Sequence, residues 1–73
     1  MDRTLDIRGF VCPLPVLKTK QALDRMKPGE ILKVMATDPD AGADISRLFK
    51  RLGHSVLNVR EEGEGITVLI RKK

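Results

Sequence analysis

The sequence has few of the residues on which common small folds and sites depend. Its 73 residues include one cysteine, one histidine, two phenylalanines, and no tryptophan or tyrosine. A single cysteine, Cys12, forms no intrachain disulfide, which excludes a disulfide-stapled secreted fold. The sequence has only one histidine, His54, so Cys12 cannot be part of a complete cysteine-rich zinc site, and no metal site is expected. The core must be aliphatic, because Phe10 and Phe49 are the only aromatic side chains.

Long apolar runs are also missing. No stretch approaches the 18 residues of a membrane-spanning helix, and the residues after Met1 open no signal-peptide hydrophobic region. The composition, 41% hydrophobic and 33% charged, is too apolar for a disordered tail. A chain of this length buries about 60% of its surface on folding. We therefore expect one small cytoplasmic domain spanning residues 1–73.

The charge balance gives little evidence for a nucleic-acid footprint. The net charge is +4, which favours acidic partners, but the basic residues are spread along the chain and are best interpreted as solvated faces. Proteins that bind single-stranded RNA usually stack bases on aromatic side chains, and this chain has no such platform. Direct binding of nucleic acid is therefore not expected.

Hydrophobic periodicity predicts the order strand, helix, strand, helix, strand, strand. The strands are expected at residues 4–8, 30–37, 55–60 and 66–71, with a hairpin turn over 61–65. Crossover connections are right-handed, so both helices should lie on the same face of the sheet. The predicted fold class is α+β, a βαβαββ two-layer sandwich with a four-stranded mixed sheet and two helices on one face.

The first helix is expected over residues 13–26, before the stop signal Pro28-Gly29. Its apolar stripe consists of Val16, Thr19, Leu23 and Met26.

The second helix is expected to begin at Asp38-Pro39, with Asp38 as the cap and Pro39 in the first helical position. Gly53 is expected to end it in a left-handed conformation. Its inward stripe is Ile45, Leu48, Phe49 and Leu52, and its outward face carries Arg47, Lys50 and Arg51.

Cys12 is the candidate functional residue. A free cysteine is often just a small buried hydrophobe, but Cys12 falls at the junction of the first strand and first helix, immediately before Pro13. An N-cap sulfur there would feel the helix dipole and unpaired N–H groups, which lower a thiol pKa. Pro13 and Pro15 would fix the backbone, leaving the N–H groups of Leu14 and Val16 as nearby donors.

One thiol restricts the chemistry. A dithiol cycle needs a resolving cysteine, and His54 is better interpreted as a surface residue near a helix C-terminus than as a catalytic base. The remaining possibility is a thiol that accepts a group from one protein and delivers it to another. A persulfide suits this transfer. Two groups of acidic residues have structural explanations. Helix capping and ordinary surface exposure explain the first group, and a solvated hairpin tip explains the second. They are Asp38, Asp40 and Asp44, and Glu61, Glu62 and Glu64.

The pattern Asp6-x-x-Gly9-x-x-Cys12-Pro13-x-Pro15 resembles the signature of the TusA-type, or SirA-like, sulfur carrier proteins. The resemblance continues through Pro28-Gly29-Glu30, Asp38-Pro39 and Asp44-Ile45 to the basic C-terminal strand, and so covers essentially the whole chain. It implies a two-layer sandwich similar to the C-terminal domain of translation initiation factor three.

The resemblance also implies a sulfurtransferase that acts as a persulfide relay. Cys12 would receive sulfane sulfur from a cysteine desulfurase or a rhodanese-type donor. It would pass the sulfur to a DsrE-like or other acceptor protein, for tRNA thiolation, molybdenum-cofactor maturation or sulfur oxidation. No cofactor is implied beyond the covalent persulfide sulfur.

Several residues acquire expected roles from this resemblance. Gly9 frees the loop before the cysteine, Pro13 and Pro15 frame it, and Asp6 is structural or faces a partner. Leu14 stands where the tRNA-thiolation branch often has Glu, and with Phe10 and Val11 it would form an apolar collar for docking. Basic residues of the helices would steer acidic partner surfaces. These are Lys18, Arg47 and Arg51.

Two other functions remain open on the sequence alone. One is a non-enzymatic regulatory or adaptor module in which Cys12 is structural. The other is an RNA-binding module, suggested by the fold analogy and the basic charge, although fold analogy alone is weak support.

Overall fold

A computed structural model of the protein describes residues 2–11 and 13–73. The expected order of elements is confirmed. Strand β1 is followed by helix α1, strand β2, helix α2 and strands β3 and β4. Their bounds are β1 Arg3–Ile7, α1 Leu14–Asp24, β2 Ile31–Ala36, α2 Ala41–Arg51, β3 Ser55–Glu62 and β4 Gly65–Arg71.

The four strands form one mixed sheet in the order β1-β2-β4-β3. β1 pairs with β2 in parallel, whereas β4 pairs antiparallel with both β2 and β3. Both helices pack on the same face, α1 against β1 and β2, and α2 against β3 and β4. The carboxyl ends of β1 and β2 therefore lie at the same edge of the sheet, where the connections to α1 and α2 begin.

The core fills the space between the sheet and the helices. Alternate residues of β2 and β4 face the helices because successive side chains of a strand point to opposite faces. They are Leu32, Val34, Ala36, Ile66, Val68 and Ile70. From the helices, Leu23, Ile45 and Phe49 are completely buried. Thr19 is buried too, and its hydroxyl donates to the Pro15 carbonyl at 2.7 Å. The inward stripe of α1 is confirmed at Thr19 and Leu23.

Helix α1 is shorter than the sequence indicates. Pro13 takes the N-cap position and Leu14 is the first helical residue, so the prediction of Pro13 as the first helical residue is wrong by one position. At the other end, Met26 N–H donates to the carbonyl three residues earlier, that of Leu23, at 3.0 Å. This tighter bonding ends the helix at Asp24, although Met26 stays buried in the core.

Helix α2 begins two residues after Pro39, so the prediction of Pro39 in the first helical position is also wrong. The Asp38 side chain does accept a backbone N–H, that of Asp40 at 3.1 Å, and the Asp38 carbonyl accepts the N–H of Ala41 at 3.1 Å. Both bonds belong to a turn ahead of the helix. Side chains of this kind often stabilise such local turns in competition with the helix itself.

The end of α2 confirms the prediction for Gly53, whose φ is +96°. Gly53 N–H donates to the Lys50 carbonyl at 3.1 Å, and His54 N–H to the Phe49 carbonyl at 2.9 Å. This pair of bonds is the Schellman motif that closes many helices. Leu52 takes the C-cap position and is 43% exposed, so its assignment to the inward stripe is wrong.

The β3–β4 hairpin has a tighter turn than expected. β3 runs to Glu62 and β4 begins at Gly65, which pair with each other. Only Gly63 and Glu64 lie between them, and the φ of Gly63 is +59°. A two-residue turn with glycine first has the right-handed twist that adjacent strands need.

Candidate functional site

The connection from β1 to α1 carries the candidate site, and a tight turn begins it. Phe10 N–H donates to the Ile7 carbonyl at 3.3 Å. Gly9 has a φ of +88°, while Arg8 is not at positive φ. A four-residue turn with positive φ only at its third residue is a type II turn, which favours glycine there. A Cβ on Gly9 would meet no atom within 4 Å, so backbone conformation alone explains the glycine.

Asp6, the residue of β1 just before this turn, stabilises it. Its carboxylate accepts the backbone N–H of Arg8 at 3.1 Å. The Arg8 guanidinium also donates to it, with Nε to Oδ1 at 2.9 Å and Nη2 to Oδ2 at 2.8 Å. These side-chain bonds, followed by the backbone bond, lower the pKa of Asp6 to about 2. The structure therefore places Asp6 as a support of the loop, in an exposed ion pair with its own neighbour.

A second backbone hydrogen bond of the connection spans position 12. Leu14 N–H donates to the Val11 carbonyl at 3.0 Å, so the prediction that this N–H is an unpaired donor is wrong. Pro15 has no N–H and is buried against the fold. Because Pro13 holds the N-cap position, the prediction of Cys12 as the N-cap is wrong, and the thiol of Cys12 itself lies outside the described residues. The structure nevertheless shows that one hydrogen-bonded turn ends at Phe10 and that the bond between Leu14 and Val11 spans this position.

Exposed apolar side chains surround the connection. Phe10 is 37% exposed, Val11 66% and Leu14 42%, and Leu17 on the next turn of α1 is 50% exposed. Lys18 places its Nζ 4.8 Å from the centre of the Phe10 ring, a cation–π contact. The first three residues are the ones expected in the apolar collar. Leu17 was missed by sequence reasoning, although an apolar residue outside the inward stripe of α1 was a usable signal.

The remaining basic candidates line a shallow groove between the helices. Arg47 and Arg51 of α2 lie beside Leu48 and face Val16 of α1, with Asp44 at one side, around a groove of about 210 Å³. The structure thus brings Arg47 and Arg51 together, on the helical layer that also presents Lys18. No salt bridge is recorded for either arginine within residues 2–11 and 13–73.

His54 has a structural position, in agreement with the preferred interpretation of the sequence. Its Nδ1 accepts the backbone N–H of Lys73 at 3.0 Å, and its ring lies 6.0 Å from the ring of Phe49. Burial lowers the pKa of His54, and the nearby charge of Lys72 lowers it further. The imidazole therefore ties the C-terminal strand to the end of α2.

The acidic residues form no metal centre in the described part of the chain, where no group of three or more potential ligands is close enough to hold an ion. Glu61 and Glu64 of the hairpin line an open groove of about 190 Å³ together with Thr37 and Pro39. Across the same described ranges, neither helix is long and apolar enough to cross a membrane.

Comparison with known proteins gives one consistent result. The model of the family described as sulfurtransferase TusA matches residues 3–72. The sulfur carrier protein TusA of Allochromatium vinosum is 39% identical over 71 residues, covering 97% of this chain and 93% of its own. A protein of Thermotoga maritima whose name marks it as a candidate sulfur carrier is 51% identical over 61 residues, covering 84% and 77%.

The fold agrees with these relatives. A crystal structure of a SirA-like protein from Desulfitobacterium hafniense superposes with a TM-score of 0.81 at 24% identity, covering 94% of this chain and 95% of that one. The likeness shows the same two-layer arrangement of two helices on a four-stranded mixed sheet. Because the family model matches residues 3–72, this chain belongs to the TusA family of sulfur carrier proteins.

Proposed function

We propose that the chain carries sulfane sulfur as a persulfide on Cys12, taking it from a donor enzyme and delivering it to an acceptor protein. One observation supports this most directly. The only cysteine of the sequence follows one hydrogen-bonded turn and is spanned by a second backbone hydrogen bond, in a segment with four exposed apolar side chains. These are Phe10, Val11, Leu14 and Leu17.

The transfer needs no oxidant or reductant. The Cys12 thiolate attacks the terminal sulfur of a donor persulfide, a new S–S bond forms, and the donor's own S–S bond breaks to release its thiolate. In the second step an acceptor thiolate attacks the terminal sulfur on Cys12, whose thiolate is the leaving group. Exchange of this kind depends on access, on the thiolate fraction and on the leaving-group pKa. A second cysteine is not required.

The neighbouring residues are suited to brief docking. Phe10, Val11 and Leu14 supply apolar surface, which excludes water from a transferring sulfur when a partner covers it. Lys18, Arg47 and Arg51 supply positive charge on the same helical layer, which raises association rates with acidic surfaces more than it raises affinity. A carrier must release each partner, so a small interface is expected.

The partners we propose are a cysteine desulfurase or a rhodanese-type protein as donor, and a DsrE-like or other thiol-bearing protein as acceptor. Residues 1–73 act as one carrier unit in the cytoplasm, with the persulfide sulfur as cargo and no resident cofactor. tRNA thiolation, molybdenum-cofactor maturation and sulfur oxidation are the candidate pathways. The apolar side chain of Leu14 favours an acceptor protein whose docking surface is apolar rather than basic at this position.

The decisive experiment is intact-mass analysis after incubation with a cysteine desulfurase and cysteine. We expect a one-sulfur mass increase that a reducing agent removes and that Cys12→Ser abolishes. Transfer is then followed by adding an acceptor protein and measuring the loss of that mass. A Cys12→Ser variant that still gains sulfur contradicts the proposal.

Two controls separate the other functions. An adaptor module with a structural cysteine would bind its partner equally well as the wild type and Cys12→Ser, with no mass change in either. An RNA-binding module would be retained on immobilised tRNA at physiological salt. Binding to tRNA together with no sulfur loading would replace the carrier proposal by the RNA-binding one.

A further inference from the structure

A residue outside the β1–α1 connection holds the turn that precedes Cys12. The Thr37 hydroxyl oxygen accepts the backbone N–H of Gly9 at 2.8 Å, across 28 residues of sequence. Thr37 directly follows β2, whose last pair with β1 is Ala36 with Ile7. The side chain therefore continues the link between two parallel strands beyond the point where their backbone ladder ends.

The three consecutive N–H groups of the turn each have an acceptor, and the three acceptors differ in kind. Arg8 N–H uses the Asp6 carboxylate, and Phe10 N–H uses the Ile7 carbonyl. Both of these acceptors belong to β1, the strand that leads into the turn. Thr37 belongs to the β2–α2 connection, so its bond to Gly9 N–H is the one of the three that joins the turn to a segment other than β1.

We propose that Thr37 is a positioning residue for sulfur transfer, acting through Gly9 on the loop that carries Cys12. This inference rests on the proposed carrier function. Rates of group transfer fall steeply when reacting atoms are misplaced by as little as about 1 Å. A turn without its external anchor samples more orientations, so a smaller fraction of encounters brings the sulfur into line with a partner's thiolate.

The position of Thr37 separates this role from folding and from docking. Thr37 is exposed and is not part of the core, so removing its hydroxyl leaves the packing between sheet and helices intact. It is also absent from the apolar collar. Its loss should therefore lower the maximal rate of sulfur transfer and leave the KM for the carrier unchanged, whereas a collar substitution should raise the KM.

The test compares three variants of the full chain. Thr37→Val keeps the branched shape but removes the acceptor oxygen, and Thr37→Ser keeps the oxygen. Thr4→Val makes the same change at an exposed threonine of β1, at the other end of that strand. The measurements are the hydrogen-exchange rate of the Gly9 amide and the maximal rate and KM of sulfur loading by a cysteine desulfurase.

With Thr37→Val, we expect Gly9 exchange to rise and the maximal loading rate to fall, each roughly 3- to 10-fold, as for one lost hydrogen bond. Thr37→Ser should restore both, and Thr4→Val should change neither. Faster Gly9 exchange with an unchanged loading rate overturns the positioning role and leaves the carrier function standing. Unchanged Gly9 exchange overturns the anchor itself. If the wild type gains no sulfur, the carrier function fails while the exchange data still report on the anchor.

Discussion

Replacing Gly9 by alanine is the sharpest available test of the turn before Cys12. The φ of Gly9 is +88°, in the left-handed region, where an L-residue costs about 1–2 kcal/mol. A Cβ at this position meets no atom within 4 Å, so steric overlap adds nothing to that cost. The expected loss of stability for Gly9→Ala is therefore about 1–2 kcal/mol, and it measures backbone strain alone.

The strain at position 9 also favours one particular change in the conformation of the turn. Type I and type II turns differ mainly by a flip of their central peptide, which brings φ of the third residue to about −90° in type I. Alanine at position 9 favours that flip. The flipped peptide is the one between Arg8 and Gly9, and it carries the N–H that donates to Thr37. Relief of the strain therefore breaks the anchor, and we expect sulfur transfer to slow roughly 3- to 10-fold, as for loss of the same bond in Thr37→Val.

Gly29→Ala provides a matched control. Gly29 has a φ of +90°, and a Cβ there also meets nothing within 4 Å. It lies between α1 and β2, at the opposite end of β2 from Thr37. The same substitution at the same φ should cost the same stability, a fall in melting temperature of roughly 4–8 °C per kcal/mol. Sulfur transfer by folded Gly29→Ala should nevertheless match the wild type.

The assay pairs thermal unfolding with desulfurase loading followed by intact mass, at a temperature where all variants are folded. Because Gly9→Ala and Thr37→Val act on one hydrogen bond, their effects on the loading rate should be non-additive in the double variant. Equal loss of transfer in Gly9→Ala and Gly29→Ala would refute the reasoning, since the loss would then follow stability rather than the turn. So would a Gly9→Ala protein as stable as the wild type.

Three other changes test separate parts of the molecule. Leu14→Glu, at an exposed side chain, should change the preference among sulfur donors or acceptors while urea unfolding stays the same; unchanged transfer with every partner contradicts the docking role. The folded-state pKa of Asp6 is lowered to about 2, so its pairing with Arg8 stabilises the fold above the ordinary pKa of aspartate. This stabilisation is lost as the pH falls through about 2. In Asp6→Asn, the free energy of unfolding, measured against pH, should lack this acid-dependent loss. Phe49→Ala deletes the largest fully buried side chain and should cost about 3–5 kcal/mol in urea unfolding, and a loss below about 1 kcal/mol would show that Phe49 does not support the core.

The order of elements and the core could be predicted because both follow from local periodicity. Strand alternation and the spacing of Ile45 and Phe49 report which side chains face inward, whatever lies opposite. Gly53 was predictable for the same reason, since a helix end requires only its own neighbours. Leu52 failed because it is the C-cap residue, one position after α2 ends, and its side chain leaves the inward face there.

The start of each helix was harder to predict because competing local bonds decide it. Proline at the first helical position is a sound average expectation, but the turn closed by Leu14 N–H and the one built on Asp38 delay both helices.

The site was predictable as a short motif but not as a supported loop. Asp6, Gly9 and the prolines lie within ten residues, so a pattern reveals them together. Thr37 lies 28 residues from Gly9, and nothing in the sequence marks its hydroxyl as the acceptor. Such a partner becomes visible only when the parallel pairing of β1 and β2 brings the ends of both strands to one edge.

The place of β1 at the margin of the sheet has a dynamic consequence. β1 has only five residues and a single neighbour, β2, whereas β2, β4 and β3 form a sheet that is continuous without it. Local opening events in proteins involve the least supported elements first. We therefore expect β1 and the connection that follows it to open before β2 and β4, with amide protection rising from β1 towards β4. The proposed site of sulfur exchange thus lies on the part of the chain that we expect to detach and reclose while the remaining strands stay folded.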